Sequence, residues 1–149
     1  RSVPVPPIER CNVATSLRDA ARRYVSEWHH YGRQFAAGAT VKGWFPAGGT
    51  RGKTLSFDDF ASDASTHNSM VKLLSGCNMY DSECEVGMDD VDRIVRMVAS
   101  GCLTVRSARL RLHVGEYAFN QTEARIAKMV NALDTELVRR VRDLGVRVP

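Results

Sequence analysis

The 149 residues suffice for one domain with a buried core but not for two, and a hydrophobic content of 44% excludes wholesale disorder and fibrous repeats. No apolar run reaches the roughly 20 residues that cross a bilayer, so no direct membrane span is expected; the chain opens at Arg1 without a charged-then-apolar leader. The net charge of +4 is unevenly laid out, with nine basic residues against three acids over 1–56, one against nine over 57–92, and eleven against five over 93–149. That acidic middle argues against uniform polyanion binding. Arginine outnumbers lysine 17 to 4, which suits bidentate contacts to carboxylates at interfaces and equally suits codon bias.

Residues 1–15 read as an extended arm, because Pro4, Pro6 and Pro7 cannot hold a helix interior. Ser16 then stands where a helix cap would, and Leu17, Ala21, Tyr24, Trp28, Tyr31 and Phe35 recur at helical spacing up to a stop at Gly38. This aromatic stripe is expected to be core. Residues 38–56, with five glycines and Pro46, read as a Gly-rich loop.

A second helical stretch is expected over 57–75, with Met70, Leu73 and Leu74 as its apolar side. A third follows Asp89 and Asp90, whose charges suit a helix start; it buries Val91, Ile94, Val95 and Val98 and breaks at Gly101. A fourth is placed from Thr104, with Val105, Ala108 and Leu112 inward, forming an antiparallel hairpin with the third. The last begins near Thr122 and carries Ile126, Val130, Leu133, Leu137, Val141 and Leu144 in one stripe that Gly145 ends. No alternating strand pattern stands out. The expected fold is therefore all-α, a single helical domain over 1–149.

Several chemical motifs weaken on inspection. Cys11, Cys77, Cys84 and Cys102 form no C-x-x-C pair, so a metal site is not expected. They are expected to be reduced, small apolar side chains, although two disulfides are possible by count. Ala47 to Thr54 resembles a phosphate-binding loop, but no buried strand precedes it and no later strand ends in a metal-holding Asp. His29, His30, His67 and His113 show no triad spacing, and solvated or partner-facing roles are expected. Arg106, Arg109 and Arg111 could belong to a DNA-reading helix, yet the next stretch, 115–121, is long and has no basic residue. Asn120-Gln121-Thr122 fits a glycosylation acceptor and a helix cap equally well. No catalytic, cofactor or metal residues are assigned.

Four segments, taken in order, resemble the subunit Va family of mitochondrial cytochrome c oxidase (subunit VI in another naming). They are Arg23-Tyr24-Val25-Ser26-Glu27-Trp28; the run from Lys72 to Asp81; Arg93, Arg96 and Val98 followed by Thr104-Val105-Arg106; and Glu136-Leu137 through Val146. The chain departs from the family in the 38–56 loop, in residues 113–122, and in Ser82 to Gly87, where the family has a Pro-rich turn. The resemblance implies antiparallel helical hairpins wound into a small right-handed superhelix. It also implies a non-catalytic peripheral subunit on the matrix side of the mitochondrial inner membrane, binding no cofactor and serving assembly or stability beside other subunits of complex IV. A nucleic-acid-binding helical adaptor and a secreted two-disulfide helical factor are the alternatives, the latter marked by an absence of free thiols.

Overall fold

A computed structural model of the chain describes residues 13–36, 56–79, 81, 83–106 and 120–149, with backbone alone at 13 and 31–36. The described part is mainly helical. In chain order it comprises β1 (Val13–Thr15), α1 (Ala20–Ala36), α2 (Phe57–Ser62), a 3-10 turn (Ala64–Thr66), α3 (Ser69–Leu74), α4 (Met88–Ala99), β2 (Leu103–Val105), α5 (Gln121–Val130) and α6 (Ala132–Asp143). The expectations for residues 1–12, for the loop at 37–55 with its phosphate-loop-like run, and for Ala108, Arg109, Arg111, Leu112 and His113 lie outside the described residues.

Two short strands, not expected from the sequence, stand beside the helices and leave the mainly α character intact. β1 and β2 pair in parallel with Val13 opposite Leu103 and Thr15 opposite Val105, and the Arg106 N–H extends the ladder to the Thr15 carbonyl at 2.8 Å. Three residues per strand are too few to print an alternating pattern, although Val, Thr and Leu suit a pleated, half-buried surface. The segment opening at Thr104 is accordingly strand at 104–105, not the start of a helix.

α1 begins three residues later than Ser16 as a cap would allow, because residues 16–19 carry the chain from the strand. Asp19 takes over the cap: its Oδ1 accepts the Arg22 N–H at 3.0 Å. The stretch 57–75 is not one helix. Ser56 Oγ caps α2 through the Asp59 N–H at 3.1 Å, Asp63 caps the 3-10 turn through the Ser65 N–H at 2.9 Å, and Asn68 at φ 52° turns the chain into α3. Leu73, expected inward, is 40% exposed.

α4 follows expectation. Asp90 Oδ2 reaches back to the Gly87 N–H at 2.9 Å, Val91, Ile94 and Val95 are buried, and Gly101 at φ 78° ends the segment in the left-handed region that favours glycine. The final stripe is split into α5 and α6 at Asn131. Leu137 and Val141 are buried, whereas Leu144 is 45% exposed, because the helix ends at Asp143 and Leu144 already belongs to its C-terminal turn.

The core falls into two clusters. One gathers Leu17, Ala20, Met70, Val71, Leu74, Val91, Ile94, Leu103, Leu137 and Val141 from α1, α3, α4, β2 and α6. The other gathers Ala21, Tyr24, Val25, Phe57, Phe60 and Ala127, with Trp28 half-buried beside them. Adjacent residues Ala20 and Ala21 thus face different clusters, so α1 is packed on two sides. Trp28 meets the Phe57 ring edge-on at 5.4 Å between centroids, and Tyr24 packs on Phe60 at 5.0 Å.

Candidate functional site

The densest group of polar side chains lies where α1, α3 and α6 meet. Asp134, fully buried, accepts from Arg23 Nη2 at 2.8 Å, from the Met70 N–H at 3.1 Å and from the Val71 N–H at 2.9 Å. The carboxylate therefore caps the first turn of α3 from another helix. Arg23 also bonds Ser69 Oγ at 2.5 Å and pairs with Glu27 at 2.8 Å one turn along α1. Burial pushes the Asp134 carboxyl above the ordinary carboxylate range, against the opposing pull of Arg23 and of the Val71 and Met70 N–H groups.

Asn68 and Asn131 complete the junction reciprocally. The Asn68 side-chain oxygen accepts from the N–H groups of Leu133 at 3.1 Å and Asp134 at 3.3 Å, capping α6. Asn131 Oδ1 accepts the Asn68 N–H at 2.8 Å, while its amide nitrogen donates to the Ala127 carbonyl at 2.8 Å. Each helix start is thus capped by a residue from the start of the other. The αL conformation at Asn68, which Asn tolerates better than most residues, puts its N–H and its side chain on the same partner.

Two further buried polar groups are tied to backbone. Tyr24 Oη and Thr66 Oγ1 are 2.6 Å apart, and Thr66 Oγ1 donates to the Phe60 carbonyl at 3.0 Å. Burial pushes the Tyr24 phenol well above its ordinary value, with the Thr66 bond pulling the other way. Lys72, 5% exposed, donates to the Ser65 carbonyl at 3.2 Å; burial lowers its pKa, against the charges of Asp81, Asp134 and Asp63. Among the described residues, no group of three or more His, Cys, Asp or Glu side chains is placed to hold a metal ion. Chemically, this polar junction is equipped to hold three helices in register.

The cysteines correct the expectation of reduced thiols. Cys77 and Cys84 are joined, with Cα atoms 6.2 Å apart, Cys102 is also disulfide-bonded, and no cysteine among the described residues is free. The seven-residue spacing of the first pair was visible as a count, but nothing in the sequence said whether it would close. The bridge encloses Asp81 and Glu83, and Asp81 Oδ1 accepts the Glu83 N–H at 2.9 Å; Glu83 and Glu85 are exposed.

Of the histidines and arginines singled out in the sequence, His113, Arg109 and Arg111 lie outside the described residues, and the described histidines, with the arginines of α6, are each tied locally. His67 Nε2 lies 2.7 Å from the Ala61 carbonyl oxygen, while the His29 ring lies 4.4 Å from that of Trp28. Arg139 is held by Glu136 at 2.5 Å and Asp143 at 3.0 Å, Arg140 by Asp92, and Arg142 by the Val148 carbonyl at 3.1 Å. Arg106 is exposed at the end of β2. The polar junction itself was missed in the sequence reading. Its only sequence signals were Asn68 before α3 and Asn131 inside the last stripe, and neither marks its partner 63 residues away.

These features define a mainly α domain with a small parallel strand pair, pinned by a buried polar junction and by disulfides. Comparison with known proteins finds no matching family model, no similar curated protein and no similar solved structure. No helix among the described residues is long and apolar enough to cross a membrane.

Proposed function

We propose that this chain is a disulfide-stapled helical binding domain of an oxidising compartment, acting by contact with a basic protein partner. The observation that carries the reading is that all three described cysteines, Cys77, Cys84 and Cys102, are disulfide-bonded. Disulfides persist in oxidising surroundings and are rare where glutathione and thioredoxin keep thiols reduced. The contact surface is the acidic loop that Cys77–Cys84 closes. A cross-linked loop loses less conformational freedom on binding than an open one, and the nine acids of residues 57–92 against one lysine give it a field that attracts basic surfaces.

The order of the four sequence segments favours a second reading, a peripheral subunit of cytochrome c oxidase built from helical hairpins in a right-handed superhelix. It needs a matrix location, for which the disulfides offer no support. A polyanion-binding adaptor is less supported still, because Arg139, Arg140 and Arg142 are engaged inside the chain.

The test is isolation of the tagged chain from its native source, with alkylation before lysis, followed by mass spectrometry and heme absorbance. Unalkylated cysteines and a co-purifying basic protein, released by salt and lost in a Glu83→Lys, Glu85→Lys variant, are the expected result. Alkylated cysteines with oxidase core subunits and heme a absorbance would replace this reading with the second.

A further inference from the structure

We infer that Asn120 is an N-glycosylation site; the inference rests on the oxidising compartment proposed above. Of the chain's five asparagines, at 12, 68, 78, 120 and 131, only Asn120 is followed by the Asn-x-Thr/Ser pattern, as Asn120-Gln121-Thr122, and the middle residue is not proline. All three of these residues are exposed. Asn68 and Asn131, by contrast, are held in the polar junction.

The local geometry explains how the folded chain accommodates a glycan there. Asn120 is the N-cap of α5, with φ −71° and ψ 125°, and its side-chain oxygen accepts the Thr122 N–H at 2.8 Å. The amide therefore divides its labour: Oδ1 faces the helix start, and among the described residues Nδ2 has no hydrogen-bond partner. α5 turns Ala124 and Ala127 inward and leaves Gln121, Thr122, Arg125 and Met129 outward, so a sugar on Nδ2 adjoins the outer side of the helix. An N-linked asparagine keeps its carbonyl oxygen, so the cap survives modification.

The donor is an oligosaccharide carried on a lipid pyrophosphate. Nδ2 attacks the anomeric carbon; the N–C bond forms as the bond from that carbon to the pyrophosphate oxygen breaks. The lipid pyrophosphate leaves with the electron pair, and the amide nitrogen gives up one proton. No oxidant or reductant takes part. Transfer takes place in a compartment that also forms disulfides, so the closed cysteines and the acceptor pattern belong to the same itinerary.

The test combines intact mass, peptide N-glycosidase treatment and free-thiol counting on the protein from its native source, with variants secreted as full chains from eukaryotic cells. The native protein, the unchanged chain and Thr122→Ser are expected to lose one glycan's mass on enzyme treatment, with Asn120 converted to aspartate. Asn120→Asp and Thr122→Ala are expected at the bare-chain mass. Aspartate is itself a good cap, and Thr122→Ala leaves the backbone N–H in place, so both fold and report on the acceptor alone. A native protein with no free thiols and the bare-chain mass overturns the glycosylation site and leaves the compartment standing. Free thiols in the native protein together with a glycan on Asn120 would overturn the disulfide staple and leave the site.

Discussion

Asp134 shows how a buried charge serves a fold by being over-supplied with donors. Removing a carboxylate from water is costly, and an ion pair in the interior repays that cost only when further hydrogen bonds satisfy the remaining lone pairs. Here Arg23 and two backbone N–H groups do so. Asp134→Ala is expected to destabilise by about 3 kcal/mol, the lower end of the usual range, because Glu27 remains beside Arg23. Chemical denaturation of Asp134→Ala, Arg23→Ala and the double variant would measure the coupling; strict additivity would show the pair to be incidental. Tyr24 supplies a pH prediction at the same scale. Its folded pKa lies above the unfolded value of 10.0, so the native state favours the neutral phenol. That stabilisation is complete below the unfolded value and is lost as pH rises above it. A phenolate absorbance titration should show one tyrosine ionising only as the protein unfolds, a step that disappears in Tyr24→Phe. If every tyrosine titrated together near 10.0, the burial assigned to Tyr24 would be wrong.

At the scale of elements, the reciprocal caps explain why α3 and α6 begin where they do. Asn68→Ala removes the cap on α6 and places a Cβ-bearing residue without a polar side chain at φ 52°, so a loss of roughly 2 kcal/mol is expected. Asn68→Gly loses the cap but relieves the backbone and should cost about 1 kcal/mol less. Equal losses in thermal unfolding would mean that the left-handed backbone contributes nothing. The same elements show what the sequence could and could not disclose. α4 was legible because its acids, its apolar spacing and Gly101 are all local signals, and Gly145 at φ 83° was a correct stop for the same reason. The break at Asn131 was not legible, since the apolar period runs through it unbroken; what splits the helix is a bond to Asn68, 63 positions away. Likewise the strand pair joins residues some 90 positions apart, and three-residue strands carry no period of their own. The polar junction was hidden for the same reason, as Arg23, Ser69 and Asp134 are each ordinary in their local windows.

For the whole molecule, the disulfides supplement a core in which two modest clusters share α1 rather than merging. In the chain-entropy description a bridge stabilises by restricting the unfolded chain, more so for longer loops. Cys77–Cys84, closing a loop of sequence separation seven, is worth about 2.5 kcal/mol on that description. The bridge from Cys102 anchors the segment that leads into β2. A non-reducing peptide map is expected to link it to Cys11, the one cysteine remaining once Cys77 and Cys84 are paired, and that long loop is worth about 4.5 kcal/mol. The two contributions predict an order of loss. Replacing Cys77 and Cys84 by serine should lower the denaturation midpoint modestly and leave the helical circular dichroism intact. Replacing Cys102 should cost nearly twice as much and expose Leu103, which is buried in the larger cluster, together with the strand pair it anchors. Full reduction should combine both losses, which together rival the 5–15 kcal/mol that holds a typical domain folded, and so unfold the chain at moderate temperature. A reduced protein that kept its native melting temperature would show that the helices and the polar junction suffice alone.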